Sequence, residues 1–415
     1  MAEIGCIADD FTGATDIAGA LTRAGYRTVV TIGAPPDGLP EADAIVVALK
    51  TRTSAVEHAV TTSTDAARRL LELGCTRLYF KYCSTFDSTP SGNIGPVADA
   101  LLETTGHRLG VVVPSFPRNG RRVFQSQLFV HDQLLSESPM RHHPLTPMTD
   151  SHIGRLLTPQ TRSRVELVDL QTVRDADALS RRLSDLAESP SPVLAVLDAI
   201  DDGDLTRIAA ALPDTALLTG GAALAGALPA PAEPVDADPL SAPVGRRLVL
   251  AGSASSATRG QIAAALPEMP SAQLDLAALA ADAGAETQRL RAVIRDAWAE
   301  APDRPVLVFA TASLDDLSPA DSREQDAERI EACLSALAVA AVDDGARSII
   351  VAGGESSGAV TSALGVQRLE IGPEIAPGVV WSRAVTAGGV EIGLALKSGN
   401  FGSERIFLDA WAVFS

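Results

Sequence analysis

At 415 residues, 46% hydrophobic and 21% charged, the chain is too long for one ordinary core and too apolar for disorder, which implies two globular domains. Its formal net charge of −18 repels nucleic acid and anionic membrane alike, and no apolar run approaches the ~20 residues of a membrane span, so neither is an expected partner. The opening MAEIGCIADDFTGATD carries acids where a secretory leader carries bases, which points to a cytoplasmic protein.

From residue 3, short β-branched runs alternate with amphipathic stretches. The pattern predicts strands at Ile4–Ala8, Thr28–Ile32, Ala44–Leu49, Arg77–Lys81 and Gly110–Val113, with helices over Gly13–Ala24, Val56–Leu73 and Ile94–Glu103. Strands separated by helices of that length indicate βαβ crossovers and a mostly parallel sheet. Residues Gly120–Ser138 break the pattern and read as a β-hairpin excursion, after which VELVDL, PVLAVLDA and TALLTG resume it. The run from Leu228 to Gly245 is rich in proline, alanine and acid and has linker composition. A second α/β unit follows, with strands near Arg247–Ala251, Val306–Ala310, Ser348–Ala352, Val379–Val385 and Glu391–Leu396. The expected architecture is two three-layer α/β lobes, residues 1–228 and 246–415, joined by a linker over 229–245. An inter-lobe cleft is the default site.

Of 34 basic residues only three are lysines, and Lys50, Lys81 and Lys397 each close an apolar run and open a polar loop. Strand ends are where open α/β sheets hold ligands, and a compact ammonium does chemistry that a planar guanidinium does not. With Arg52, Arg118, Arg121 and Arg122, these lysines could form the cationic pocket that an anionic substrate needs in so acidic a chain. Cys6, Cys75, Cys83 and Cys333 form no C-x-x-C pair and fit reduced thiols; Cys83 reads first as a packed small side chain.

The first strand ends in ADDFTGATD, placing Asp9 and Asp10 at a strand-to-helix turn. One carboxylate there can orient or deprotonate a hydroxyl and the other help position Mg²⁺, although a single member could simply cap the helix. The run KYCSTFDSTPSGNIGPV, Lys81 to Val97, crowds an ammonium, Ser84, Thr85, Asp87 and glycines into one connection suited to a carboxylate ligand. PSFPRNGRR adds three arginines around a tight turn, and the four histidines between His131 and His152 match no zinc spacing. Three glycine/serine loops follow strands in the second unit: LAGSASSATRGQI, VAGGESSGAV and LKSGNFGSE. Together they suit nucleotide phosphates, while neither a Walker loop nor G-x-G-x-x-G occurs.

These segments resemble the four-carbon acid sugar kinase family nearly end to end, and the Lys81–Val97 loop resembles its 3-oxo-tetronate kinase branch. The resemblance implies an N-terminal acid-sugar domain with Asp9, Asp10, Arg52, Lys81, Ser84 and Asp87 around the substrate. It implies a C-terminal domain with Ser253, Ser255, Gly353, Gly354, Glu355, Ser356 and Gly399 around ATP, with Mg²⁺ as co-ligand. The implied reaction moves the γ-phosphoryl of ATP to the 4-hydroxyl of a C4 keto-acid, Asp9 or Asp10 taking the proton. Arg52 and Lys81 would hold the carboxylate, and Lys397 would either stabilise the transferring phosphoryl or lean on its loop's carbonyls. Alternatives are a D-threonate or D-erythronate 4-kinase of the same family, or a non-catalytic two-lobed acid-sugar-binding protein. The apolar helix faces suit a monomer core or a homo-oligomer equally.

Overall fold

The computed structural model describes residues 2–142, 146–234, 240–313, 316 and 322–414, in two compact units, Met1–Ala237 and Asp238–Ser415. Part of the expected linker, residues 235–239, lies outside the described residues.

The first unit runs β1 (Ile4–Ala8), α1 (Phe11–Arg23), β2 (Thr28–Ile32), β3 (Ala44–Ala48), α2 (Val56–Glu72), β4 (Arg77–Lys81), α3 (Ile94–Thr105) and β5 (Leu109–Val113). It continues with β6 (Arg121–Phe124), β7 (Gln127–Val130), β8 (Gln133–Leu134), α4 (Ile153–Leu157), β9 (Arg164–Val168), α5 (Leu170–Arg174) and α6 (Ala176–Ala187). It closes with β10 (Val193–Leu197), α7 (Asp202–Ala211), β11 (Ala216–Gly220) and α8 (Ala223–Gly226). The main sheet has the order β2-β3-β1-β4-β11-β5-β10-β9, every pair parallel. Its central strands are buried on both faces, which is why they read as unbroken apolar runs rather than alternating ones. Helix α1 packs with α8, and α2 with α3; right-handed crossovers put these pairs on opposite faces.

The expected excursion is the small antiparallel sheet β6-β7-β8. Its tip is a two-residue turn, Gln125 and Ser126, both left-handed at φ 49° and 58° without a glycine. Buried Asp198, just past β10, holds that turn by accepting from the N–H groups of Gln125 (2.7 Å), Ser126 (2.9 Å) and Leu170 (3.2 Å). Asp198→Ala should cost about 2 kcal/mol by stranding these donors, lowering the melting temperature by roughly 5 °C. A calorimetric scan that leaves the melting temperature unmoved would dismiss Asp198 as the anchor of the turn.

The second unit runs β12 (Arg246–Ala251), α9 (Ser256–Ala265), β13 (Ser271–Gln273), α10 (Leu276–Ala281), α11 (Ala283–Glu300), β14 (Val306–Phe309), α12 (Arg323–Asp343) and β15 (Ala346–Ala352). Then come α13 (Gly354–Ala363), β16 (Arg368–Ala376), β17 (Val379–Val385), β18 (Glu391–Lys397) and α14 (Ile406–Asp409). The order is β13-β14-β12-β15-β18-β17-β16, parallel as far as β18 and antiparallel beyond it. Both lobes are α/β with mostly parallel sheets, as expected. Sequence reading missed β16, because Gly372 and Pro373 interrupt its apolar pattern and the pairing shifts register between Ile371 and Glu374. Trp381 stacks on Phe414 at 4.8 Å between ring centroids, closing the core beneath the antiparallel strands.

Candidate functional site

In the first unit the chain leaves β1 through α1 toward β2 and leaves β4 through α3 toward β5, in opposite directions along the sheet. The β1/β4 boundary is therefore a topological switch point, where the crevice outside the strand C-termini takes ligands. Ala8 pairs with both Ala48 and Lys81, so the residues following β1, β3 and β4 emerge side by side. Asp9, Asp10, Arg52, Lys81, Ser84 and Asp87 all belong to these three exits.

Asp10 is the N-cap of α1: its carboxylate accepts from the Gly13 N–H (2.7 Å) and the Thr12 hydroxyl (2.7 Å). Arg52 donates to Asp9 through Nε (2.9 Å) and Nη2 (2.6 Å) and to Asp10 through Nη1 (2.8 Å). Burial pushes both carboxyls up; Arg52 and Lys81, aided by Thr12 and Gly13, reverse this for Asp10, which ends low, whereas Asp9 stays raised. The pair thus splits into a firmly ionised member and a more basic one. Three of the five Arg52 N–H groups are thus directed at the two aspartates. Asn93 fixes the strap that carries Arg52, donating to the carbonyls of Thr51 (2.8 Å) and Ser54 (2.9 Å).

The lysines divide. Lys50 is exposed, while Lys81 is 3% exposed, donates to the Tyr82 carbonyl (3.0 Å) and pairs with Asp16 at 3.5 Å. In the following loop Ser84 is buried with its Oγ unbonded, Thr85 donates to Asp87 (2.6 Å), and buried Phe86 takes a left-handed φ of 54°. Burial and the neighbouring Asp87 push the Cys83 thiol up to about 12, so it is a protonated packing group. Arg121 reaches this edge from β6, buried and within the field of Cys83, Asp87 and Asp16. Asp16 escaped sequence reading because helix position 16 looks like an ordinary surface acid; its place in ADDFTGATD was the available signal. A cavity of about 430 Å³ at the opposite edge of this sheet, lined by Asp99, His107 and Arg162 among others, contains none of these groups.

The second unit repeats the logic. β12 leads through α9 toward β13 and β15 leads through α13 toward β16, making β12/β15 a second switch point. Ala251 pairs with Ala352 and Ala352 with Lys397, so the three glycine loops leave one edge together. Their glycines are required by close approach: a Cβ on Gly252 would lie 2.2 Å from Ser356 Oγ, and one on Gly399 2.4 Å from Ser253 Oγ. Gly353, at φ 128°, turns β15 into α13, whose first turn holds Gly354, half-buried Glu355 and buried Ser356. Ser255 caps α9 and donates to the Gly399 carbonyl (2.6 Å). Two helix N-termini and several hydroxyls make this edge suited to phosphate oxygens.

Lys397 supports these loops from below. Wholly buried, its ammonium donates to the carbonyls of Ser398 (2.9 Å), Gly399 (3.1 Å) and Phe401 (3.1 Å), with the Thr258 hydroxyl at 3.3 Å. An ammonium has three hydrogens, so none is left for a transferring phosphoryl. Of the two roles considered for Lys397, these contacts fit support of the loop. Desolvation pulls Lys397 down to about 7. Among the described residues no group of three His, Cys, Asp or Glu could cage a metal; His143 lies outside them, and His152 caps α4.

Residues 4–228 match the family model described as a sugar-binding N-terminal domain, and residues 248–407 the model described as a nucleotide-binding C-terminal domain. The 3-oxo-tetronate kinase of Pseudomonas fluorescens is 45% identical, covering 98% of this chain and 96% of its own length. That of Cupriavidus necator is 44% identical over the same shares. A crystal structure from Salmonella typhimurium LT2 is 39% identical with a TM-score of 0.86, covering 100% of both chains.

Proposed function

The chain belongs to the four-carbon acid sugar kinase family, in its 3-oxo-tetronate kinase branch, and on that premise we propose that it transfers the γ-phosphoryl of ATP to the 4-hydroxyl of 3-oxo-tetronate. The products are 3-oxo-tetronate 4-phosphate and ADP, a step in carbohydrate acid catabolism. The observation that carries this reading is 45% identity to a kinase of that name across 98% of the chain, with both domain models matched. In this reading residues 1–228 hold the acid sugar, 229–245 link, and 246–415 hold ATP. A cytoplasmic location accords with the need for ATP; among the described residues no helix is long and apolar enough to cross a membrane.

Phosphoryl transfer asks the protein mainly for positioning and charge neutralisation. Asp9 and Asp10 orient the acceptor hydroxyl, and the more basic Asp9 takes its proton. Arg52, pinned on both, fixes their geometry. Ser84, Asp87 and Lys81 line the acceptor's edge, and Arg121 adds a cation for its carboxylate. Ser253, Ser255, Gly353, Gly354, Ser356 and Gly399 hold the phosphates through hydroxyls and N–H groups, with Lys397 keeping the loop in shape. Mg²⁺ takes one or two carboxylates and otherwise phosphate and water oxygens, so Glu355 in the first turn of α13 fits its donor set, and the ion would neutralise phosphate charge there.

A coupled ADP-release assay over a panel of C4 acids tests the reading. Turnover is expected with 3-oxo-tetronate. Turnover confined to D-threonate or D-erythronate would move the chain to a sister branch, and none at all would leave an acid-sugar-binding protein.

A further inference from the structure

Two cations and three carboxylates are enclosed together where β1 and β4 end. Arg52 occupies Asp9 and Asp10, and Asp10 is filled further by Thr12 and Gly13. The third carboxylate, Asp16, is 3% exposed on α1 and has no such company. Its Oδ2 faces Lys81 Nζ at 3.5 Å, and its Oδ1 is buried without a hydrogen-bond donor. The same ammonium rests against Gly13: a Cβ there would lie 3.2 Å from Lys81 Nζ and 2.5 Å from Asp10 Oδ1. Lys81 is therefore shared between Asp10 and Asp16, and its charge favours the ionised form of each.

A helix-packing role would not preserve this arrangement. An enclosed carboxylate with an idle oxygen is costly, and an apolar side chain of similar size would suit a core better. We infer that Asp16 is a positioning residue for the transfer: by engaging Lys81 it governs how much positive charge the Asp9–Asp10 pair feels as the acceptor hydroxyl gives up its proton. The inference rests on the kinase reading above and adds a residue to it.

The groups facing Asp16 are Lys81 and Tyr79 from β4, Arg23 and Asp10 from its own helix and cap, and Arg121 from β6. Of the other elements packed on α1, β2, β3 and α8 bring no charged side chain, and β1 brings only the Cys6 thiol, kept protonated by burial. Burial, opposed by Lys81 and Arg23, raises Asp16 to about 6. Above that pH its carboxylate offsets Lys81 and the pair is the stronger base. Below it the offset is lost and turnover falls.

The test is kcat against pH at saturating substrates for the full chain and its Asp16→Asn and Asp16→Glu variants. The unaltered chain should lose activity as pH falls through about 6. Asp16→Asn should run about tenfold slower at higher pH, as one unit of lost basicity implies, with that acid limb gone and the KM for ATP within about twofold. Asp16→Glu should restore the limb. An Asp16→Asn enzyme with near-normal kcat and an unchanged limb overturns the inference. Infrared titration of the protonated-carboxyl band in the substrate-free chain gives a readout that needs no turnover. The band near pH 6 should vanish in Asp16→Asn, survive in Asp9→Asn, and shift upward in Lys81→Met. The reverse pattern for the two aspartates, or an unshifted band in Lys81→Met should Asp16→Asn not fold, also overturns it. Failure of the kinase reading would show separately, as no ADP release by the unaltered chain.

Discussion

Asp10→Asn should lower kcat by about three orders of magnitude while leaving the dissociation constant for ATP within about twofold. Asparagine caps a helix as well as aspartate does, so α1 keeps its start and the fold is spared. What disappears is the negative charge that shares Arg52 with Asp9. Arg52 then bears on Asp9 alone and lowers its basicity just where the acceptor proton must go. The nucleotide groups belong to the other unit, so ATP binding should be unaffected. Parallel measurement of Asp9→Asn separates base from partner: the larger loss marks the base. Normal kcat in both variants would remove the pair from the chemistry.

Lys397→Met should raise the KM for ATP by at least about tenfold and destabilise the chain by about 3 kcal/mol, from the loss of three charge-assisted hydrogen bonds to the carbonyls of Ser398, Gly399 and Phe401. For a unit of this size that corresponds to a melting temperature lower by roughly 10 °C. Methionine fills the volume, so the loss reports the ammonium rather than a cavity. The KM for the acid sugar should stay near normal, because among the described residues the Lys397 ammonium donates to the loop of residues 398–401 and to Thr258. A variant with ordinary stability and ATP KM but a collapsed kcat would return Lys397 to the phosphoryl group. Calorimetry alongside steady-state kinetics distinguishes the outcomes.

Local pattern carried much of this far. β1 was legible to the residue because Ile4–Ala8 is a short apolar run stopped by two aspartates, and the two-residue hairpin tip fell within the expected excursion. β16 was not legible, since a strand interrupted by Gly-Pro forms only when β17 supplies its partner. The glycine loops could be read as phosphate-binding in kind. That Gly252 and Gly399 are glycines because serine hydroxyls from other loops crowd them was not readable, since those neighbours are distant along the chain.

Lysine scarcity singled out Lys50, Lys81 and Lys397, and strand ends located them. All three look alike in sequence. Only folding separated an exposed Lys50 from Lys81, buried against Asp16, and Lys397, buried under its own loop's carbonyls. The kind of residue and its place on a strand are local properties, set by composition and periodicity. The direction of an ammonium, and the carboxylate that meets it, depend on which strands become neighbours in the sheet, and that is settled by packing across the whole unit.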